Sequence, residues 1–497
     1  MHAPKASTIG PITQGSPEQL AYMDEIEKLF TIDTEQLGDI KDHFMAEMTK
    51  GLDNERQTLA MIPSYVEGRL TGQEQGHYLA LDLGGTNLRV VLVTLEGHGK
   101  FKTVSTKAKV SEELKTGPMR DLCGKSDLKL KGMDDTDTNR CVTMGMIDYI
   151  ADCIDRFLTE QNLGSVDEDL PLGYTFSFPV LQSKINRGIL TAWTKGFNCS
   201  GAIGKDPVLL LQDSLLRKHL PVKITALVND TVGTLLSNAY QKPDTLAGLI
   251  LGTGANGAYI EQMTNIGKWK EGATTSHEMV INMEFGAFDN ERVKLPVTRF
   301  DNKLDRKSIN PHFQIFEKLI SGMYLGEIVR NVITDMMDRN LLFGQHGQAT
   351  DIVSGHYQFE TSYMSSIEAD GSDDLAMVRE ILDTNLNLTN VDDVELRIVK
   401  RLCELVGTRA ARLAAASIAA IVIHAKVDRK GADIGIDGSL YEFYPDFEAR
   451  IYQGMAELLP DFAGDIRNII RLGLARDGSG VGAALTACVA DKMFKSK

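Results

Sequence analysis

Residues 78–93 read YLALDLGGTNLRVVLV. An apolar run ends at Leu83, Gly84 and Gly85 follow, and a second apolar run begins at Leu88. Two adjacent glycines let the backbone turn sharply and come close to a ligand, because neither carries a Cβ. The pattern predicts a strand–turn–strand hairpin whose tip carries the carboxylate of Asp82, the hydroxyl of Thr86 and the amide of Asn87. Backbone N–H groups in such a turn can cradle a phosphate. A Gly-Gly turn is also an ordinary way to join two core strands, so this stretch alone leaves both readings open.

A second copy of the pattern shifts the balance. Residues 246–261, LAGLILGTGANGAYIE, again run apolar strand, Gly252-Thr253-Gly254, apolar strand. Residues 434–443, IGIDGSLYEF, repeat it more loosely with Asp437, Gly438 and Ser439 at the turn. The first two hairpins suggest a duplicated clamp for nucleotide phosphates, one hairpin in each of two domains. Residues 252–257 match the dinucleotide fingerprint G-x-G-x-x-G letter for letter, yet strand continues where that fingerprint needs a helix. Residues 478–483, GSGVGA, do precede a helix, but too little chain remains after them for a βαβ unit. Neither is a Rossmann site. Gly124-Lys125-Ser126 imitates the end of a P-loop, whose first glycine would have to stand at position 119, and that residue is Met.

At 497 residues the chain exceeds the size at which one core keeps growing, so two or more domains are expected. Its hydrophobic fraction of 43% and charged fraction of 24% are those of an ordinary globular protein. A net charge of −15 argues against nucleic acid or an anionic membrane as partner. Six cysteines without pairing or metal-ligand spacing suggest reduced thiols. With no apolar segment near the first residues and no run of 18 apolar residues, the expected setting is cytoplasmic.

In chain order, residues 1–15 lack periodicity and are expected to form a flexible tail. Ser16, Pro17 and Gln19 then supply an N-cap, a first helical residue and a capping box. A second helix carries Leu37, Ile40, Phe44 and Met48 on one face. Residues 124–147 have little apolar periodicity and read as a mobile insertion or a stretch wrongly kept in translation. The helix after it shows Ile150, Ile154, Phe157 and Leu158 on one face. Asn229 and Asp230 end an apolar strand just ahead of a helix, where open α/β sheets place ligands. Asp230 fits a helix N-cap equally well in this local view. Residues 394–424 are rich in Ala, Leu and Ile at helical spacing and read as buried helices framing the third hairpin.

Taken together, nine motifs resemble the eukaryotic hexokinase family, most of all its fungal hexokinases and glucokinases. They are LALDLGGTNLRVV, LGYTFSFPV, TAWTKGF, LVNDTVGTL, LGTGANGAYIE, INMEFGAFDN, GMYLGEIVR, IGIDGSLYEFYPDF and ARDGSGVGAAL, in the family's order. The resemblance covers residues 16–122 and 148–497 and implies an actin-like ATPase (ribonuclease H-like) fold. That fold has two α/β domains around a cleft, each on a mixed five-stranded sheet. A large domain would comprise residues 16–75 and 232–477, and a small one residues 76–231 and 478–497, with the insertion at 124–147.

The resemblance also assigns residues. Ser177, Thr194, Lys195, Asn229, Asp230, Asn256, Glu284 and Glu327 stand where the family binds glucose. Asp82, Gly84, Gly85, Thr86, Asn87, Gly252, Thr253, Gly254, Asp437, Gly438 and Ser439 would face ATP. Asp230 would accept the proton of the sugar 6-hydroxyl as it attacks the γ-phosphoryl group, and Lys195 would hold the sugar and the developing charge. Mg²⁺ would be bound mainly by the ATP phosphates and water, with no dedicated protein ligand. Closure of the domains on the sugar would exclude water. Glu284 is followed by Phe285, where the family often has Trp or Tyr. A monomer or homodimer is expected. Two other classes stay open: a hexokinase-like sugar sensor with weak or no catalysis, and an actin- or chaperone-type ATPase, which would lack the paired NDT and MEFGAF motifs.

Overall fold

The computed structural model describes residues 5–84, 87–119, 145–164, 168–193, 197–270, 276–344, 353, 355–475 and 477–495. The strands in the first half are β1 (Ile62–Glu67), β2 (Gln75–Leu83), β3 (Asn87–Gly97), β4 (Lys100–Lys109), β5 (Leu170–Phe176), β6 (Val180–Lys184), β7 (Arg187–Leu190) and β8 (Val222–Val228). In the second half come β9 (Thr245–Leu251), β10 (Ala255–Gln262), β11 (Glu278–Asn282), β12 (Ala432–Asp437) and β13 (Ile470–Leu474).

The chain divides into two compact units. The first comprises Met1–Met61, Leu249–Lys270 and Met283–Leu474; the second comprises Ile62–Gly248, Glu271–Asn282 and Ala475–Lys497. This division departs from the one expected, because residues 62–75, 232–248, 271–282 and 475–477 fall with the second unit. The reason for the helix Asp230–Gln241 is a close backbone approach. A Cβ on Gly233 would come within 2.5 Å of the Gly478 carbonyl oxygen, and one on Gly482 within 2.1 Å of the Gly233 oxygen. Only glycines allow the helix Gly478–Lys495 to lie so near.

In the second unit β4-β3-β2-β5-β8 form one mixed sheet. β2 and β3 pair antiparallel up to Leu83↔Leu88, and the Gly84 amide donates to the Asn87 carbonyl at 2.9 Å, which closes the expected first hairpin. β5 and β8 join β2 in parallel. The helix Met146–Glu160 buries Ile147, Ile150, Ile154 and Phe157 in the same cluster as Leu79, Leu81 and Leu172. Each such side chain contributes on the order of 1.5–3 kcal/mol by leaving water. The helix starts earlier than the sequence reading placed it. Met146 and Ile147 are fully buried and their amides donate to the Pro118 and Met119 carbonyls, so the end of the supposed insertion belongs to the core. Its remainder, residues 124–144, lies outside the described residues.

In the first unit β10, the end of β9 from Leu249 on, β12 and β13 are neighbours in that order, with β12 and β13 parallel. The segment 394–424 is a single helix, Asp393–His424, opened by a capping box from Asp392 and Glu395. It is long and apolar enough to cross a membrane, but 83% of its apolar window is buried inside the protein, as in a core helix. Fully buried Arg409 on this helix pairs with Asp301 through two hydrogen bonds of 2.8 and 2.6 Å. The third motif is not a hairpin. After β12, Gly438 takes φ +130 and the chain turns into the helix Ser439–Phe443.

The first helix, Pro17–Phe30, has the expected capping box of Ser16 and Gln19. The segment before it is not a free tail throughout. Ala6 donates to Asp446 Oδ2 (3.1 Å), Ser7 to the Glu368 carbonyl (2.9 Å) and Ile9 to Glu404 Oε1 (2.9 Å), all within the first unit. The cysteines described, Cys153, Cys199, Cys403 and Cys488, are buried free thiols.

Candidate active site

In the second unit, β8 delivers the Asn229-Asp230 pair to the start of a helix. Asn229 is the N-cap: its Oδ1 accepts from the Thr231 amide at 2.9 Å and from the Thr231 hydroxyl at 2.6 Å. Asp230 is thus the first helical residue rather than the cap. Its Oδ1 accepts from the same Thr231 amide at 2.9 Å, and its Oδ2 lies 3.5 Å from the Ser177 hydroxyl. At the end of β2, Asp82 Oδ2 accepts a hydrogen bond from Ser479 at 2.8 Å. Burial pushes the Asp82 carboxyl above its usual range, the Ser479 bond offsets part of this, and the charge of nearby Asp230 pushes it further up. Arg89, opposite Asp82 on β3, forks onto Asp477.

Thr194 and Lys195 lie outside the described residues, as do Gly85 and Thr86. The residues that bracket 194–196 are pinned. Trp193 meets the Phe178 ring edge-on at 4.9 Å and stacks on Phe197 at 5.7 Å, and Phe178 meets Phe197 at 5.0 Å. Such aromatic pairs add about 0.5–1.5 kcal/mol each beyond their burial.

In the first unit, Asn256 stands at the head of β10. Its Oδ1 accepts from the Gly257 and Phe285 amides at 2.7 and 3.3 Å, and its Nδ2 donates to Glu284 Oε1 at 3.4 Å. Glu284 has φ +53, a left-handed conformation that a residue with a Cβ seldom takes and that recurs at functional sites. Phe285 turns inward and meets the Phe44 and Phe316 rings edge-on at 6.2 and 5.6 Å. Its pocket is hydrocarbon, so a ring without a polar atom suits it.

Glu327 is elsewhere engaged. Only 2% exposed, it takes a two-pronged bond from Arg330 (2.7 and 2.6 Å), the Tyr357 amide (2.7 Å) and His356 Nδ1 (3.2 Å). Burial alone would raise its carboxyl, but the Arg330 bonds and the Tyr357 amide outweigh it and hold Glu327 below the usual range. The carboxylate that accompanies Asn256 and Glu284 is Glu317. Its Oε2 accepts from the Ala255 amide at 2.9 Å, and its Cβ lies 3.1 Å from where a Cβ on Gly286 would be. Sequence reading passed over it. The signal was available in Gln314 and Glu317, two polar residues set among Phe313, Ile315 and Phe316.

The second and third glycine turns meet in this unit. A Cβ on Gly252 would stand 3.2 Å from Gly438 Cα, and one on Gly438 only 2.4 Å from the Leu251 carbonyl, so backbone packs on backbone. The Gly322 amide adds a bond to the Gly252 carbonyl at 2.7 Å, and the Met323 amide one to Thr253 at 3.1 Å. Beside them opens a cavity of about 570 Å³ bordered by Thr253, Gly322, Ser439, Phe443 and Tyr444. Its mix of small backbone-exposing residues, hydroxyls and aromatic rings suits a phosphate-bearing aromatic ligand.

Models of the family described as Hexokinase match residues 22–240 and 246–489. The chain is 39% identical to a hexokinase of Kluyveromyces lactis over 478 residues, spanning 94% of this chain and 91% of that one. It is likewise 39% identical to a glucokinase of Aspergillus niger, over 90% of this chain and 92% of the other. A solved hexokinase from Schistosoma mansoni, complexed with glucose, superposes with a TM-score of 0.80 at 35% identity, covering 95% of this chain and 99% of that one. The α/β units thus have the actin-like ATPase fold. With both halves matched and relatives of near-equal length at this identity, the chain belongs to the hexokinase family.

Proposed function

We infer that this protein phosphorylates glucose at its 6-hydroxyl with ATP as donor. The observation that carries the reading is the near full-length match to hexokinases and a glucokinase, one of them solved with glucose. In the reaction the sugar O6 bonds to the γ-phosphorus, the bond from that phosphorus to the bridging oxygen breaks, and ADP leaves. The O6 proton passes to a base.

Asp230 is our candidate for that base, supported by its place at a strand end and by Asn229 taking the capping duty. Asp230 Oδ1 shares the Thr231 amide with the cap, and Oδ2, 3.5 Å from the Ser177 hydroxyl, is the oxygen placed to accept a proton. Lys195 is proposed to hold the sugar and the growing negative charge. Ser177, Thr194, Asn229, Asn256 and Glu284 are proposed to bind sugar hydroxyls, with Glu317 in place of Glu327. Support for the exchange is that Glu317 stands by Asn256's strand, whereas Glu327 is committed to Arg330.

The nucleotide is proposed to lie along the turns of Asp82–Asn87, Gly252–Gly254 and Asp437–Ser439, the last two beside the cavity described. The oxygen donors there, carboxylate and hydroxyl, fit a hard cation, and Mg²⁺ would be held mainly by the phosphates and water. When bound it neutralises charge on the transferring group. A cytosolic setting and a monomeric or dimeric state belong to the same proposal. The test is ADP release by purified protein with Mg-ATP and glucose, fructose or mannose against a sugar-free blank. Sugar-dependent ADP is expected; none with any hexose overturns the reading.

A further inference from the structure

We propose that His43, Glu47 and Asp289 form a site for a divalent transition-metal ion of the zinc type. His43 and Glu47 are one turn apart on the helix Thr34–Asp53, so their side chains share a face. Asp289, fully buried, arrives from the loop after Glu284. His43 Nε2 lies 3.2 Å from Glu47 Oε1 and 3.4 Å from Asp289 Oδ1, and the three donor atoms fall within 4.8 Å of one another. Ligand atoms about 2.0–2.1 Å from a tetrahedral zinc stand roughly 3.3 Å apart.

The lone pairs point the same way. Asp289 Oδ2 accepts the Lys294 and Leu295 amides at 2.8 and 2.7 Å, which fills it. Oδ1 accepts the Val293 amide at 2.7 Å and keeps a second lone pair on the side of His43. Glu47 Oε2 lies 3.5 Å from the Asp289 amide, so Oε1 is the oxygen that faces the imidazole. His43 Nε2 itself is enclosed yet makes no hydrogen bond of acceptable geometry, although two carboxylate oxygens are close. As a donor this nitrogen has two carboxylate oxygens at ion-pairing distance but no directed hydrogen bond, an incomplete arrangement for an enclosed polar atom. As a metal ligand, presenting its lone pair between the two carboxylates, it would be satisfied. The ring is braced by Phe288, whose centroid is 5.5 Å away.

One imidazole and two carboxylates, without a thiolate, suit Zn²⁺ or its stand-in Co²⁺ rather than Cu(I), and differ from the all-oxygen sets of Ca²⁺ and Mg²⁺. Three protein ligands leave a fourth position for water. The ion would tie the helix Thr34–Asp53 to the segment that carries Glu284.

The test uses the full chain, stripped with chelator and titrated with ZnCl2 by calorimetry and with CoCl2 by visible absorption and paramagnetic NMR. Expected are one equivalent bound, a thermal midpoint that rises until that equivalence, cobalt bands without thiolate character, and a shifted histidine resonance that zinc abolishes. His43→Gln and Glu47→Gln should each weaken zinc about tenfold or more. Absence of binding, undiminished binding by either folded variant, or a cobalt spectrum of thiolate type overturns the proposal. If a variant fails to fold, the cobalt-shifted resonances of the parent decide the matter: shifts that map to His43, Glu47 and Asp289 support the site, and shifts confined to other residues overturn it.

Discussion

Replacing Asp230 by Asn separates the base from the scaffold. Asn229 holds the helix start through Thr231, at 2.9 Å to the amide and 2.6 Å to the hydroxyl, and the substitution leaves both bonds in place. The Thr231 amide also donates to Asp230 Oδ1 at 2.9 Å, and the carbonyl oxygen of an asparagine accepts it equally. Stability should therefore change by less than about 1 kcal/mol. What is lost is the ability to take the O6 proton. General-base loss costs roughly 10²–10⁴ in rate, or about 2.7–5.4 kcal/mol of barrier. A coupled ADP assay should show kcat fallen by that factor, with glucose affinity within a few-fold, since an amide can hold the same hydroxyl. A second readout is Asp82. Its carboxyl is raised by burial and in part by Asp230, so Asp230→Asn should bring it down toward 3.8. A raised acid binds more protons folded than unfolded, so its contribution to stability is full below the unfolded value and falls as pH rises through the folded one. That loss should be smaller in the variant. A kcat within about threefold of the parent would refute the assignment of Asp230 as base.

Glu317→Ala should raise the KM for glucose roughly 10- to 100-fold, the worth of one charged hydrogen bond of about 1.5–3 kcal/mol, and should cost about 1–3 kcal/mol of stability because the Ala255 amide loses its acceptor; an unchanged KM would remove Glu317 from the sugar site. Glu327→Gln should do the reverse, costing about 3–5 kcal/mol in urea unfolding because the Arg330 charge is left buried without its partner, with little effect on glucose KM. Glu327 is held below its ordinary value, so its contribution is present above the unfolded value near 4.5 and is lost as pH falls through the folded one; the variant should show a flatter acid limb, and an unaltered limb would count against the pairing.

Much of the organisation is local and was legible in the residues. The Gly84 turn closes as a hairpin because two apolar strands flank it, and Leu83 pairs with Leu88 across it. Gly252-Thr253-Gly254 leads into a strand, so its dinucleotide-like spacing was correctly set aside. Ser16 and Gln19 cap the first helix as their spacing requires. Nine short motifs in one order were enough to name the family. The N-cap was not legible in the same way: Asn and Asp are both good caps, and only the geometry chose Asn229 over its neighbour Asp230.

Other features depend on partners far away along the chain. Ala6, Ser7 and Ile9 look like a tail because nothing near them in sequence bonds them; their acceptors are Asp446, Glu368 and Glu404. Gly438 was read as a hairpin turn, but its φ of +130 and contact with Leu251 send the chain into a helix. Glu317 and Glu327 both look like one acid among apolar neighbours. The Arg330 one turn beyond Glu327 is a local hint, yet the helix alone does not say which of the two acids packs beside Asn256. Most backbone conformation follows from nearest neighbours, so sequence determined most of the elements and the family. Which carboxylate is neutralised by an arginine and which stands beside Asn256 and Glu284 depends on long-range packing, and only the tertiary structure decided it.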